Sequence, residues 1–386
     1  MKTRNLVSLA ILTVAAVGAA VYSVRVQNIE TESVQALPPL FPNLAAKINT
    51  IDEIDLKSHS DSTVIKRMAD GSWVIASKDN YPAKFDMVKK TIVGLTDMKT
   101  VDAKTNDPKL FGELGLADVT ADDSKAKLIE LKSGGKTVAG ALFGERKYVP
   151  GVNSARAYVR KPDGGRAWLV DNAPSIETAP KSWWVEDTVA VPRERVKEAI
   201  LSGPDRGTLT VYRDKKDDKN FKVRDMPAGA KLQYDGAPDS IAEALVYMSF
   251  DDVKPVADID FSKADSAVFR TFDGLEVTAN IATVGKATWI KFEAKALPGA
   301  EHPEAADETK SADDAASKDK DQAKDKAKPK PLDVPAEAKA INDRVQGWAY
   351  EVASYKAKDL TKKLSDLLAK DEKKTDKASK PSPNGT

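Results

Sequence analysis

The chain has 386 residues, with 60 basic and 59 acidic side chains and no cysteine. The absence of cysteine excludes disulfides, thiolate nucleophiles and cysteine-based metal sites. The balanced charge argues against nucleic acid as a partner, since a nucleic-acid-binding surface needs a basic excess. A chain of this length is too long for one ordinary hydrophobic core, so two domains joined by linkers are predicted.

The most apolar stretch of the chain, residues 6–24, contains no charged side chain. A helix of this length rises roughly 28 Å, which is close to the hydrocarbon thickness of a bilayer. Lys2 and Arg4 precede the stretch, and this charge bias keeps the N-terminus in the cytoplasm and sends the remainder across the membrane. Residues 1–25 are therefore predicted to form an N-terminal transmembrane anchor.

Cleavage of this segment as a signal peptide is the alternative. Gly18 and Ala20 are small residues at the two positions that a signal peptidase reads, so cleavage could follow Ala20. Residues 26–45 are predicted to form a spacer and an extended proline-rich segment, because Pro38, Pro39 and Pro42 disfavour a helix.

Residues 46–178 have the pattern of a first repeat made of short strands and one helix. Asp70-Gly71 and Ser133-Gly134-Gly135 are hairpin turn signals between strand-like runs. Within residues 85–98, the apolar side chains recur at helical spacing. They are Val88, Ile92, Leu95 and Met98.

Residues 179–195 are predicted to be a connector, and residues 196–369 repeat the order of elements of the first half. Ile241, Leu245 and Met248 again have helical spacing, and strands are predicted before and after them. The predicted fold class is α+β. It consists of two tandem repeats, each an antiparallel sheet with a packed helix, after one N-terminal transmembrane helix.

The second repeat carries an insert of about residues 297–335, rich in Ala, Lys, Asp, Glu and Pro. Such a composition cannot bury enough apolar surface to order itself, so the insert is predicted to be disordered. It is either an exposed loop expansion or a tether or docking arm. A last amphipathic helix is indicated by Leu360, Leu364, Leu367 and Leu368, and residues 370–386 are predicted to be a disordered tail.

No motif in the sequence predicts a catalytic, cofactor-binding or metal-binding residue. A Ser-His-Asp arrangement would depend on His59 alone, because His302, the other histidine, lies in the insert. The run Gly134 to Thr137 lacks the first glycine of a phosphate-binding loop. Asp258 and Asp260 start like a calcium loop, but the positions that need Gly and Glu hold other residues. The remaining carboxylates are predicted to lie on the solvated surface.

Trp183 and Trp184 lie together in the predicted connector. Paired indoles of this kind could stack on a glycan or anchor a partner protein. Packing between the two domains is the alternative, because a connector needs apolar residues to fix their geometry. Trp73 and Trp348 fall in predicted strands and are expected in the core.

A set of short motifs along the chain resembles the bacterial envelope family called domain of unknown function 4340. The motifs are Leu40-Phe41-Pro42-Asn43-Leu44, Trp73-Val74, Tyr81-Pro82-Ala83, Lys104-Thr105 with Pro108, Leu114-Gly115-Leu116, Trp184 and Gly347-Trp348-Ala349-Tyr350. The resemblance implies an anchored protein in the bacterial inner membrane with its soluble part in the periplasm. It also implies a link to an ABC transporter of the kind associated with gliding motility, and no catalytic residues.

Two functions are therefore expected. The first is a non-enzymatic, membrane-anchored envelope accessory protein that binds ABC transporter subunits or another envelope component. The second is an envelope glycan-binding protein or a carboxylate-dependent hydrolase, which would show close Asp or Glu pairs and an exposed Trp in one cleft.

Overall fold

The computed structural model describes residues 38–148, 150, 154–185, 189–246, 248–298 and 333–369. The predicted anchor, most of the predicted spacer, most of the predicted insert and the whole of the predicted tail lie outside these residues. Across the described ranges, no helix combines the length and the apolar composition needed to cross a membrane.

The chain divides into two compact units, Met1–Trp183 and Trp184–Thr386. The first unit contains a nine-stranded antiparallel sheet and the second an eight-stranded antiparallel sheet. The predicted antiparallel sheets are confirmed. The described residues are mostly β with few helices, so the helical share is smaller than the predicted α+β class implies.

The first unit has one α-helix in its described residues, helix α1 (Phe85–Thr96), between its fourth and fifth strands. Its strands are β1 (Glu53–Lys57), β2 (Ser62–Arg67), β3 (Trp73–Ile75), β4 (Tyr81–Pro82), β5 (Lys99–Ala103), β6 (Lys127–Ser133), β7 (Lys136–Lys147), β8 (Arg156–Arg160) and β9 (Trp168–Asp171). Their order across the sheet is β4-β3-β2-β1-β6-β7-β8-β9-β5.

Local sequence explains the central hairpin of this sheet and its helix. Gly134 and Gly135 join β6 to β7 with φ angles of 55° and 74°. A two-residue turn with both φ angles positive matches the twist of the flanking strands, and glycine adopts it without strain. On α1, Val88, Ile92 and Leu95 are buried, as their spacing predicts.

The segment between β5 and β6 forms a separate small core in the first unit. Phe111 and Leu116 from this segment are buried with Leu142 of β7 and Ala167. The guanidinium of Arg160 donates to the Leu116 carbonyl at 2.9 Å and to the Asp118 carboxylate at 2.6 Å. These contacts fasten the Leu114-Gly115-Leu116 motif to the sheet.

The second unit has helices α2 (Asp239–Ala242), α3 (Val334–Val345) and α4 (Ser354–Leu360). Its strands are β10 (Val196–Gly203), β11 (Arg206–Tyr212), β12 (Lys222–Val223), β13 (Phe250–Pro255), β14 (Asp265–Thr271), β15 (Leu275–Val284), β16 (Ala287–Ala296) and β17 (Trp348–Val352). Their order is β12-β11-β10-β14-β15-β16-β17-β13. Once β4 is set aside, the two sheets have the same strand order.

Two predicted helices of the second unit differ from their apolar spacing: the first is shorter, and the last ends where the predicted leucine pattern begins. Helix α2 ends at Ala242, and the carbonyl of Leu245 instead accepts a hydrogen bond from the backbone N–H of Val191 at 3.2 Å. Helix α4 ends at Leu360, and the carbonyl of Leu367 accepts from the N–H of Gln233 at 2.9 Å. Backbone groups in the segments after Ala242 and after Leu360 therefore form hydrogen bonds with distant parts of the chain. The spacing of apolar residues does not predict such bonds.

Charged side chains on the two sheets are held in ion pairs. Lys132 donates to Glu53 at 2.8 Å and to Asp55 at 2.5 Å in the first sheet. The hydrogen bond from Lys132 is the main cause that lowers the pKa of Glu53. In the second sheet, burial raises the pKa of Glu276, but hydrogen bonds from Arg270 and Lys295 outweigh it and leave the pKa below its usual value.

These pairs predict a loss of stability in acid. The pKa of Glu53 and that of Glu276 are lower in the folded state than the ordinary value of 4.5. Their stabilisation is therefore complete above the unfolded-state pKa and is lost as the pH falls through the folded-state pKa. We expect the urea midpoint to fall between about pH 5 and pH 3. Glu276→Gln should reduce the dependence of the urea midpoint on pH. A urea midpoint of the unaltered chain that stays the same over this pH range would contradict the prediction.

Candidate functional site

A cleft opens in the second unit where two neighbouring strands separate. Strands β16 and β17 are paired only from Thr288 to Ile290, where Ile290 faces Tyr350. Beyond Tyr350, towards its N-terminal end, β17 stays paired with β13, and Trp348 faces Pro255. The two strands therefore diverge on one side of the Ile290–Tyr350 pair.

Helix α3 closes the far end of this opening. The side-chain amide of Asn342 donates to the Ala294 carbonyl at 2.7 Å and accepts from the Ala294 N–H at 2.8 Å. Asn342 thus takes the place of a strand residue at that point of β16. The cleft that remains has a volume of about 500 Å³, which lies within the range of small-molecule sites, roughly 300–1,000 Å³.

The lining of the cleft combines polar and apolar groups. Trp348 is the half-buried aromatic residue of the lining, while Asn280, Lys291 and Glu293 contribute an amide, an ammonium and a carboxylate. The ring of Phe292 packs with the rings of Phe250 and Tyr350. The ammonium of Lys291 lies 4.9 Å from the centre of the Phe261 ring. Within the described part of the chain, no carboxylate forms an ion pair with Lys291.

The alternation of side chains along two paired strands explains the grouping of the three polar residues. Lys291 and Glu293 are two residues apart on β16 and share one face of the sheet. Asn280 on β15 is directly opposite Lys291 in the register and shares that face. Gly347, with φ of 83°, makes the turn between α3 and β17 that brings Trp348 to the cleft.

A second cleft of the same unit, with a volume of about 360 Å³, is lined mainly by charged residues. Arg193 forms an ion pair with Glu243 at 2.7 Å and with Asp239 at 2.9 Å. Asp359 is paired with Lys362 at 2.8 Å. These carboxylates are bonded to cations of their own unit.

Trp183 and Trp184, the predicted partner-binding residues, are 0% and 1% exposed. The indole N–H of Trp183 donates to the Glu177 carbonyl at 2.8 Å, and its backbone carbonyl accepts from the N–H of Lys84 at 2.7 Å. As folded, neither ring presents a surface to a glycan or a partner. Partner binding by this pair remains a prediction.

Other residues considered from the sequence take ordinary structural positions. His59 is exposed, and Trp73 is buried in β3. The carboxylate of Asp260 accepts from the N–H of Ser262 at 2.8 Å, which is a local turn contact. The described part of the chain contains no group of three or more His, Cys, Asp or Glu that could hold a metal ion.

No pattern in the sequence predicted the residues that line the cleft. The alternation in 287–296 places Lys291 and Glu293 on one face, but nothing in it shows that β17 separates from β16 beside them. Trp348 was expected in the core, whereas it is half-buried and lines the cleft.

Comparison with known families matches residues 73–267, just over half of the 386 residues, to the family described as Domain of unknown function (DUF4340). The chain belongs to this family. The match runs from the start of β3 into β14 and covers most of the first unit. Neither a curated protein nor a solved structure matches the chain.

Five of the motifs on which the resemblance depends lie entirely within the DUF4340 match. These are Trp73-Val74, Tyr81-Pro82-Ala83, Lys104-Thr105 with Pro108, Leu114-Gly115-Leu116 and Trp184. Trp73-Val74 stands at the start of the match. The segments around Leu40 and Trp348 lie outside the match, so their assignment to the family pattern stays a prediction. The cleft between β16 and β17 also lies beyond the matched residues.

Proposed function

We propose that this DUF4340 protein is a non-enzymatic accessory protein of the bacterial envelope, anchored in the inner membrane and associated with an ABC-type transport system. Its two units are tandem repeats, and the cleft between β16 and β17 is the site through which the second unit binds a ligand. The uncharged stretch at residues 6–24 and the family resemblance support the anchor and the compartment. The shared strand order of the two sheets supports the repeat.

The chemistry of the cleft carries the proposal of binding without catalysis. Glu293 is the one carboxylate among the residues that line it. Hydrolysis of a glycosidic bond commonly uses two carboxylates placed on either side of that bond. The second cleft contains several carboxylates but no tryptophan in its lining. Neither cleft therefore joins a close carboxylate pair to an exposed Trp, the combination expected of the hydrolase.

The proposal is tested by purification of the full-length chain from its native membrane in a mild detergent. We expect ABC transporter subunits to co-purify in stoichiometric amounts. A variant lacking residues 1–25 should recover them less well, because the anchor raises the local concentration of the soluble units at the membrane.

A matched control separates anchoring from recognition. In this control, residues 6–24 are replaced by an unrelated apolar helix of the same length. Co-purification should persist if the soluble units make the contact. Recovery of the protein without any transporter subunit would overturn the association with transport.

A further inference from the structure

We propose that the cleft between β16 and β17 binds a neutral saccharide, with the sugar ring against Trp348 and its hydroxyls bonded to Asn280, Lys291 and Glu293. This inference rests on the proposed binding function and names the ligand class of the same site. It places glycan recognition at Trp348, and not at Trp183 and Trp184, which are buried.

The aromatic lining suits one side of a sugar ring. A pyranose has a face of C–H groups that is apolar, and its hydroxyls project around the rim. Trp348 is the half-buried aromatic residue of the lining, and aromatic side chains bury large areas at little cost in conformational freedom. Stacking of the sugar on the indole would remove apolar surface of both the sugar and the protein from water.

The polar lining suits the hydroxyls. Asn280 is half-buried, and in the described ranges its side-chain amide has no hydrogen-bond partner. An amide both donates and accepts, as a hydroxyl does. Lys291 adds a donor and Glu293 an acceptor on the same face of the sheet. The cleft therefore offers donors and acceptors in the mixture that vicinal hydroxyls require.

Charge disfavours a strongly anionic or cationic ligand. Lys291 and Glu293 have opposite charges and are two residues apart on β16, so their fields largely cancel at the cleft. A phosphate or a polycarboxylate would be attracted by one and repelled by the other. A neutral polyol can bond to both groups without this penalty.

An extended peptide fits this edge of β16 less well. A peptide that adds to a sheet needs a row of free backbone N–H and C=O groups. The side chain of Asn342 already occupies both backbone groups of Ala294, and β17 pairs with Thr288 to Ile290. Only residues 291–293 remain between these two contacts, which is too short a ladder to hold a strand.

The test is isothermal titration calorimetry on the full-length chain in a detergent without a sugar head group. The probes are cellobiose, maltose and N,N′-diacetylchitobiose, with a neutral tetrapeptide as the competing ligand. We expect saturable binding of at least one disaccharide and none of the tetrapeptide. Asn280→Ala and Glu293→Ala should each weaken binding by about tenfold. Thr278→Ala is the matched control, because Thr278 faces Glu293 across the sheet but does not line the cleft.

Binding of no disaccharide would overturn the proposal, as would equal affinity in Asn280→Ala, Glu293→Ala and the unaltered chain. Binding of the tetrapeptide in place of a sugar would also overturn it. If transporter subunits co-purify while no sugar binds, the saccharide inference alone fails. If a sugar binds in the cleft while no transporter subunit co-purifies, the association with transport fails and the saccharide site stands.

Discussion

Gly144→Ala is expected to lower the free energy of unfolding of the first unit by about 3 kcal/mol. A Cβ atom at Gly144 of β7 would lie 2.2 Å from the backbone carbonyl oxygen of Leu114 and 3.0 Å from the carbonyl carbon of Gly115. Both neighbours are backbone atoms and cannot rotate away. The loop with the Leu114-Gly115-Leu116 motif would have to leave the sheet.

The displacement would also disturb what the loop covers. Arg160 is 3% exposed, and its guanidinium bonds to the Leu116 carbonyl and lies 4.9 Å from the Phe111 ring. Moving the loop would open this cation to water and expose Phe111. Urea-induced unfolding, with hydrogen exchange of the amides in residues 104–126, measures the effect.

Gly112→Ala is the control for this prediction. Gly112 belongs to the same loop, but a Cβ atom there would meet no heavy atom within 4 Å. The change should leave the urea midpoint nearly unaltered. Equal urea midpoints for Gly144→Ala and Gly112→Ala would show that the close approach of the loop to β7 does not affect stability.

Arg213→Met is expected to destabilise the second unit by about 3 kcal/mol. Arg213 is 2% exposed. Its guanidinium donates to the carbonyls of Val196, Lys216 and Arg193 at 2.9, 2.8 and 2.7 Å. Methionine fills a similar volume but provides no donor, so three carbonyls would lose their partner.

The same guanidinium lies 4.9 Å from the Phe221 ring and 5.4 Å from the Phe272 ring. Arg213→Lys should recover little stability, because one ammonium cannot reach three carbonyls and stack on two rings together. Arg224→Met is the control, since Arg224 is exposed and its ion pair with Glu198 is 3.3 Å long. Thermal unfolding compares the three variants, and equal losses in Arg213→Met and Arg224→Met would contradict the prediction.

Local patterns in the sequence correctly predicted most of the sheets. The glycines at 134 and 135 define a hairpin because glycine adopts two successive positive φ angles without strain. In β6, Ile129 and Leu131 are buried and alternate with half-buried residues, because one face of the strand is covered. Helix α1 formed where Val88, Ile92 and Leu95 predicted a buried face. These outcomes depend on near neighbours in the chain.

The edge strands β5 and β13 were not predicted. Lys99–Ala103 has only intermediate or exposed residues, and Phe250–Pro255 ends in a proline. Such segments lack the apolar alternation of a central strand, and they become strands because a partner edge, β9 or β17, is available. Only the assembled sheet provides that edge.

By itself, the sequence determined the absence of cysteine chemistry, the balance of charge, the two antiparallel sheets and the motifs of the DUF4340 family. These follow from composition and from short-range periodicity, which a linear chain displays directly. The tertiary structure alone decided that Trp183 and Trp184 are buried and that Asn280, Lys291, Glu293 and Trp348 line one cleft. Burial and convergence depend on where strands pair and where they part, and the register between residues far apart in the chain is a property of the folded state.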